Sequence, residues 1–194
     1  MSLIKKVRAV ENIYQSLEKE IARFQQNSNF KCIENCHACC TKKDIEANPL
    51  EFLPLAYHLY KNQQAYTFLE SLEQRSEDPV CALFNPFHTQ GACSLYQYRG
   101  LICRLFGFSA AIDKNEKKNL ITCKLLKTQK ISEYKNAQLL INKGFPVPHT
   151  SKYYMKLYAI DLKLSSQYYP VNKAIEHAIE TVLFYFSFRD KKAV

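Results

Sequence analysis

Eight cysteines are the residues of this chain whose type and spacing could do chemistry. Four of them fall within nine residues, at Cys32, Cys36, Cys39 and Cys40. Gaps of two or three residues let one stretch of loop direct several thiolates at a single ion or cluster, and two-residue gaps are typical of zinc and iron–sulfur loops. This cluster therefore predicts a metal site.

The other four cysteines are spread over the middle of the chain, at Cys81, Cys93, Cys103 and Cys123. Eight thiols can form two four-cysteine sites, or one such site plus thiols with another task, and the spacing leaves both arrangements open. We predict all eight as metal ligands. Cys81, in VCALF, and Cys123, in NLITCKLL, also suit a second interpretation as small buried apolar residues.

Cys39 and Cys40 are adjacent in sequence. Successive side chains in an extended segment point to opposite faces, so the pair is not expected to ligate one ion comfortably. The pair therefore indicates two sites or one multi-metal cluster.

Other polar side chains accompany the cysteines. His37 lies inside the first cluster and suits either a ligand or a solvated loop residue. Arg99 and Arg104, with Tyr96 and Tyr98, bracket the later cysteines. Guanidinium groups near thiolates would offset the negative charge of the site, so we predict a supporting role for them.

Helical periodicity dominates outside the cysteines. Apolar residues recur at helical spacing over residues 3–27, and again over 151–166 and 171–189. Asn48 and Pro49 match an N-cap and a first helical position, and we expect two helices to follow them.

Turn signals and a hairpin pattern occupy the centre. The stretch from Asp78 to Gly91 reads as irregular, and segments 104–112 and 119–123 predict one short β-hairpin. The sequence thus predicts a mainly α fold, a helical single domain over residues 1–194 with an irregular cysteine-rich metal-binding centre at 30–125.

Lysine and arginine outnumber acidic residues 27 to 18, which gives a net charge of +9. Such a balance favours anionic partners such as nucleic acid or a lipid surface. The densest run, KNEKK at 114–118, is interrupted by an acid, so we assign it to a solvated loop and do not expect a nucleic-acid partner.

The N-terminal residues MSLIKKVRAV lack the apolar stretch of a secretory signal, and we find no uninterrupted apolar span of about 18 residues that would predict a membrane helix. We therefore expect a cytoplasmic protein without a membrane partner. Thiols stay reduced in that compartment, so the cysteines are better explained as metal ligands or reactive thiols than as disulfides.

These residues resemble the YkgJ-like cysteine-cluster family of zinc- or iron-chelating domains, which opens with a C-x(2,3)-C-x(2)-C-C motif. The family's second signature, close to G-x-C-x-I-Y-x-x-R-P-x-x-C-R, corresponds here to GACSLYQYRGLICR. The matching positions are Gly91, Cys93, Tyr96, Arg99, Cys103 and Arg104. The CALF sequence that begins at Cys81 is similar to an intervening Cys-Pro-Phe-Leu element, although Ala82 and, in the second signature, Gly100 replace prolines of the family.

The resemblance covers residues 32 to about 123 and implies a metal cofactor held by the cysteines, which is zinc, iron or a 4Fe–4S cluster. It implies no particular reaction, so whether the protein is an enzyme stays open. Flagellin lysine N-methylases are similar in the cysteine region, which makes an iron–sulfur-dependent methyl transfer one alternative. A thiol redox protein that cycles Cys39 and Cys40 to a disulfide is another.

Overall fold

The computed structural model describes residues 1–34, 36–75, 78–87 and 92–188. Nine α-helices make up most of this part of the chain, and four short strands form two antiparallel pairs. The mainly α class and the short hairpin are therefore confirmed.

The first helix, α1, spans Leu3–Ser28 and confirms the periodicity over residues 3–27. Val10, Leu17 and Phe24 are fully buried on its inner side. Burying an apolar side chain of this size contributes about 1.5–3 kcal/mol, so this stripe fixes the helix against the core. Asn29 ends the helix in the left-handed conformation, with φ 52°, and the cysteine loop follows.

A capping box begins the next helical segment. The Asn48 side chain accepts a hydrogen bond from the Glu51 amide, and the Glu51 carboxylate accepts one from the Asn48 amide in return. Pro49 occupies the first helical position, as predicted. A 3-10 helix at Pro49–Phe52 leads into α2 (Leu53–Lys61), and α3 (Ala65–Glu73) follows.

The centre of the chain alternates short elements. A 3-10 turn at Tyr96–Tyr98 precedes α4 (Leu101–Leu105). Strands β2 (Ser109–Ile112) and β3 (Lys118–Ile121) then form the hairpin. The prediction of a strand from residue 104 was wrong at its start, because Arg104 and Leu105 belong to α4.

Two helices that the sequence analysis did not assign follow the hairpin, namely α5 (Lys124–Gln129) and α6 (Ile131–Asn142). The predicted helix at 151–166 is two helices, α7 (Thr150–Ile160) and α8 (Leu162–Ser165). Asp161 divides them, since its backbone is extended and its carboxylate caps α8 by accepting from the Leu164 amide at 3.1 Å.

Strand β4 (Tyr169–Pro170) pairs with β1 (Glu46–Ala47), a second strand pair that the sequence analysis did not predict. The last helix, α9 (Val171–Ser187), confirms the helical spacing from residue 171. Arg189, the last residue of the predicted helix, lies outside the described residues.

Buried side chains form two hydrophobic clusters. The first joins α1, α2, α7 and α9, and the second lies between the hairpin, α5 and α6. Phe108 packs against both clusters, Cys93 belongs to the first, and Cys123 packs against the second. The cysteine-rich centre therefore lies where the two clusters meet. None of the described helices combines the length and apolar character needed to cross a bilayer.

Candidate metal centre

The first four cysteines lie in the loop after α1. Tight turns shape this loop, because the Cys36 amide donates to Ile33 O at 3.2 Å and the Cys40 amide donates to His37 O at 2.9 Å. After this turn the Cys39 and Cys40 thiols each shift the pKa of the other, and both side chains line one cavity. The expectation that these two side chains point to opposite faces was therefore wrong, since it assumed an extended segment.

Cys81 lies in a second loop that runs beside the first. The Cys81 amide donates to Cys40 O at 3.4 Å. Asn172, in the first turn of α9, holds this loop from the other side: its Oδ1 accepts from the Ala82 amide at 2.8 Å. Its Nδ2 donates to Asp78 O at 3.1 Å and to Val80 O at 2.9 Å. No local sequence signal marks Asn172, because its partners lie about 90 residues earlier.

Cys93 lies beside the Cys81 loop. Phe84 and Cys93 form an isolated antiparallel bridge, and the Ser94 amide donates to Leu83 O at 2.8 Å. This pairing buries Cys93 to 7% exposure. Gly91, which belongs to the second signature, and His88 lie outside the described residues.

Cys103 is carried by α4, whose first turn is tied to the capping box. The amide of Ile102 donates to the buried Glu51 carboxylate at 2.8 Å. A small cavity of about 40 Å³ opens beside this helix. Its lining residues are Cys39, Cys40, Cys81 and Cys103, together with Ile45, Ile102, Phe106 and Val171.

Electrostatic contacts join four of the thiols. Burial raises the pKa of Cys81 to about 11, and the Cys93 thiol adds to this rise. Burial also raises the pKa of Cys103, and Cys81 is the thiol that adds most. The hydrogen bond with Cys39 raises the pKa of Cys40, and burial and then the Cys39, Cys81 and Cys93 thiols raise it further. We call Cys40, Cys81, Cys93 and Cys103 the inner thiols.

A second set of thiols interacts around Cys32. Burial raises the pKa of Cys32 to about 11, with further contributions from the thiols of Cys36, Cys39 and Cys123. Cys123 is the N-cap of α5, where its sulfur accepts from the Leu126 amide at 3.4 Å. We call Cys32, Cys36, Cys39 and Cys123 the outer thiols. Cys39 also belongs to the surroundings of the inner set, because its thiol adds to the rise in the pKa of Cys81, Cys93 and Cys103 and it lines the same cavity as Cys40.

Arg99 acts on the thiols as predicted. The hydrogen bond with Cys40 lowers the pKa of Cys39, and the Arg99 guanidinium lowers it further. The same guanidinium opposes the rise that burial causes in the pKa of Cys93 and Cys103. The guanidinium carbon lies 3.9 Å from the centroid of the Tyr96 ring, which holds the side chain in place.

Arg104 has a different task from the predicted one. Its buried guanidinium pairs with Glu18 of α1, and its Nε donates to Arg99 O at 3.0 Å. It also lies over the Tyr14 ring at 4.4 Å. These contacts hold α4 against α1, and the positive charge of Arg104 interacts with residues of α1 rather than with the thiols. His37 is exposed and its ring packs near Phe84, with 5.5 Å between centroids.

The donor set fits a soft metal ion. All eight cysteines are free thiols, and zinc and iron prefer thiolate ligands. Among the described residues, no three histidine, cysteine, aspartate or glutamate side chains are arranged to hold an ion. Binding would therefore need the thiols to lose protons and to move towards one another.

Residues 31–134 match the model of the CxxCxxCC family, which is described as "Putative zinc- or iron-chelating domain". The match spans both cysteine loops, α4, the hairpin and Cys123. No curated protein and no solved structure matches the chain.

Proposed function

Since the chain belongs to the CxxCxxCC family, we propose that it binds zinc or iron through its eight cysteines and acts as a metal-binding protein. The observation that carries this proposal is that the thiols influence one another's pKa in two groups, one around Cys81 and one around Cys32, which share Cys39. A four-thiolate site is a common arrangement for structural zinc and for iron–sulfur centres.

In this proposal each set holds its own metal. Cys40 belongs to the inner set because its thiol neighbours, apart from Cys39, are Cys81 and Cys93. Cys39 adds to the rise in the pKa of Cys32 and also of the inner thiols Cys81, Cys93 and Cys103. We assign it to the outer set because the inner set already has four thiols without it. The contact between Cys39 and Cys40 then couples the two sites. Reduced thiols suit the cytoplasm, the compartment that we propose.

The size of the cavity supports metal binding over methyl transfer to a protein lysine. Pockets that enclose a ligand of drug size measure about 300–1,000 Å³. The cavity beside Cys103 measures about 40 Å³ and is walled by four cysteines together with aliphatic and aromatic side chains. It leaves little room for a lysine side chain together with a methyl donor.

One observation favours a second candidate, a thiol redox protein. Cys39 and Cys40 are adjacent in the chain and their thiols shift each other's pKa. Oxidation of this pair to a disulfide would pass two protons and two electrons to an oxidant such as hydrogen peroxide. A mass loss of two hydrogens on peroxide treatment of the purified protein, reversed by dithiothreitol, would support this candidate. An unchanged mass would exclude it.

Anaerobic purification followed by elemental analysis for zinc, iron and sulfide tests the main proposal. We expect about two zinc ions per chain in a colourless protein, or iron with similar amounts of sulfide in a brown one. A purified protein that retains neither metal and takes up neither on reconstitution would contradict the proposal.

A further inference from the structure

Nearly all of the net positive charge lies in one stretch of the chain. Residues 114–156 contain ten lysines and two glutamates, a net charge of +8 out of +9 for the whole chain. Among the described residues, none of these ten lysines forms a salt bridge. The charge is therefore left without internal compensation.

Helix α6 presents part of this charge to solvent together with apolar side chains. Ala137 and Ile141 are buried against the second cluster. On the opposite side, Ile131 and Leu139 are each 50% exposed, and the exposed Lys135 lies between them. These residues follow at intervals of four, so apolar and basic side chains alternate along one side of the helix.

A shallow groove lies beside the C-terminal end of α6. It measures about 460 Å³ and lies between the turn of the hairpin, with Glu116, Lys117 and Lys118, and the end of α6 at Asn142. Burial lowers the pKa of His149, and the positive charge of Lys118 lowers it further. The electrostatic potential near the hairpin is therefore positive. We call this surface the lysine face and define it by Lys117, Lys118, Ile131, Lys135, Leu139 and Lys143.

We propose that the lysine face docks an acidic amphipathic segment of a partner protein. Charge complementarity selects the partner, because unpaired lysines attract carboxylates and speed the encounter. The exposed Ile131 and Leu139 add apolar contacts at one-turn spacing, which a helix with alternating acidic and apolar side chains would match.

The composition of the face argues against nucleic acid. Arginine is absent from residues 105–188, although its planar guanidinium suits bidentate phosphate contacts. The exposed large hydrophobic residues of the face are aliphatic, whereas single-stranded nucleic acid stacks on aromatic rings.

The composition also argues against a lipid surface. A helix that lies in a membrane interface buries a wide apolar face in the lipid. The apolar side of α6 is already buried against the protein at Ala137 and Ile141, and lysine interrupts the apolar residues on the outer side.

Calorimetric titration of the full chain with a synthetic helical peptide tests the proposal. Along one side of the peptide helix, every fourth residue is alternately a glutamate and a leucine. We expect binding that weakens as salt rises above about 0.1 M, where the Debye length falls below about 10 Å. We expect Lys135→Glu to weaken binding about tenfold, because it places like charges opposite one another. Lys61→Glu on α2 is the matched control, since it changes the net charge equally on an exposed site outside the face.

Equal weakening by Lys135→Glu and Lys61→Glu would overturn the proposal, because it would show a general attraction between charges. Absence of binding to the peptide would overturn it as well. A single-stranded oligonucleotide or an anionic phosphatidylserine vesicle that binds more tightly than the peptide, and loses binding in Lys135→Glu, would assign the face to that ligand instead. Metal content is measured in every sample, so failure here is separate from failure of metal binding.

Discussion

The Glu51 carboxylate accepts a hydrogen bond of 2.8 Å from the backbone amide of Ile102. Glu51 also accepts from the Asn48 amide at 3.2 Å and from Asn48 Nδ2 at 3.0 Å. One buried carboxylate thus fixes both the capping box after β1 and the first turn of the helix that carries Cys103. Burial raises the pKa of Glu51 from 4.5 to about 7, although the amides that donate to it offset part of this rise.

The raised pKa makes stability depend on pH. The folded protein holds the Glu51 proton more tightly than the unfolded chain, so this stabilisation is complete below pH 4.5 and is lost as the pH rises through about 7. We expect Glu51→Gln, which is neutral throughout, to gain about 3 kcal/mol relative to the parent between these limits, at about 1.4 kcal/mol per pKa unit. Urea unfolding at both ends of the range measures this difference.

Glu46→Gln is the control for that measurement. Glu46 is an exposed carboxylate in β1, five residues before Glu51, and its substitution should leave the pH dependence of the parent unchanged. Curves for Glu51→Gln and the parent that run parallel from pH 4.5 to 7 would show that Glu51 titrates normally.

Local patterns predicted the elements that have one buried side and a clear cap. The apolar stripe of α1 and the Asn48–Pro49 cap are of this kind. Helix α6 was missed because Ile131 and Leu139 face solvent and blur its periodicity. Helix α4 was missed because five residues are too few to show a helical period.

The cysteines were found from their type and spacing, but their grouping was not. Glu51 and Ile102 are 51 residues apart, and Asn172 and Ala82 are 90 apart. Such contacts depend on how the helices pack, which no local pattern encodes. The role of Arg104 was misassigned for the same reason, because its partner Glu18 lies in α1.

Asn172 should matter for metal binding without being a ligand. Asn172→Ala removes three hydrogen bonds that hold the backbone from Asp78 to Ala82. Leaving such groups unpaired costs about 1–3 kcal/mol, so we expect zinc affinity of the inner thiols to fall about tenfold or more. Competition with a chromophoric zinc chelator measures the affinity. Asn142→Ala, at the exposed end of α6, should leave it unchanged.

Two thiols of the first cysteine loop should differ in reactivity. The hydrogen bond with Cys40 lowers the pKa of Cys39 to about 6, with a smaller contribution from Arg99, whereas burial raises that of Cys32 to about 11. The thiolate is the reacting form, so in the reduced, metal-free protein at pH 7.5 we expect iodoacetamide to modify Cys39 more than tenfold faster than Cys32. Peptide mapping by mass spectrometry gives both rates. Equal rates would show that the Cys39 thiol is not ionised to a greater extent than the Cys32 thiol at this pH.

Single cysteine substitutions should separate the two proposed sites. Cys81→Ser removes an inner thiol and Cys123→Ser removes an outer one. If each set of four holds its own ion, we expect each variant to lose about one of two zinc ions per chain, and the double variant to lose both. Native mass spectrometry counts the bound ions. Loss of all metal in either single variant would instead indicate one joint cluster of eight thiols.

Removal of metal should loosen the centre before the helices around it. Structural zinc supplies on the order of 10 kcal/mol of binding energy that is coupled to folding, so a chelator at neutral pH should lower the melting temperature. Within the described residues of the Cys32–Cys40 loop, the backbone hydrogen bonds are those of two tight turns, whereas α1 buries a continuous stripe. Hydrogen exchange should therefore accelerate in that loop and around Cys81 while α1 stays protected. An unchanged melting temperature, with metal removal verified by elemental analysis, would show that the fold does not depend on the metal.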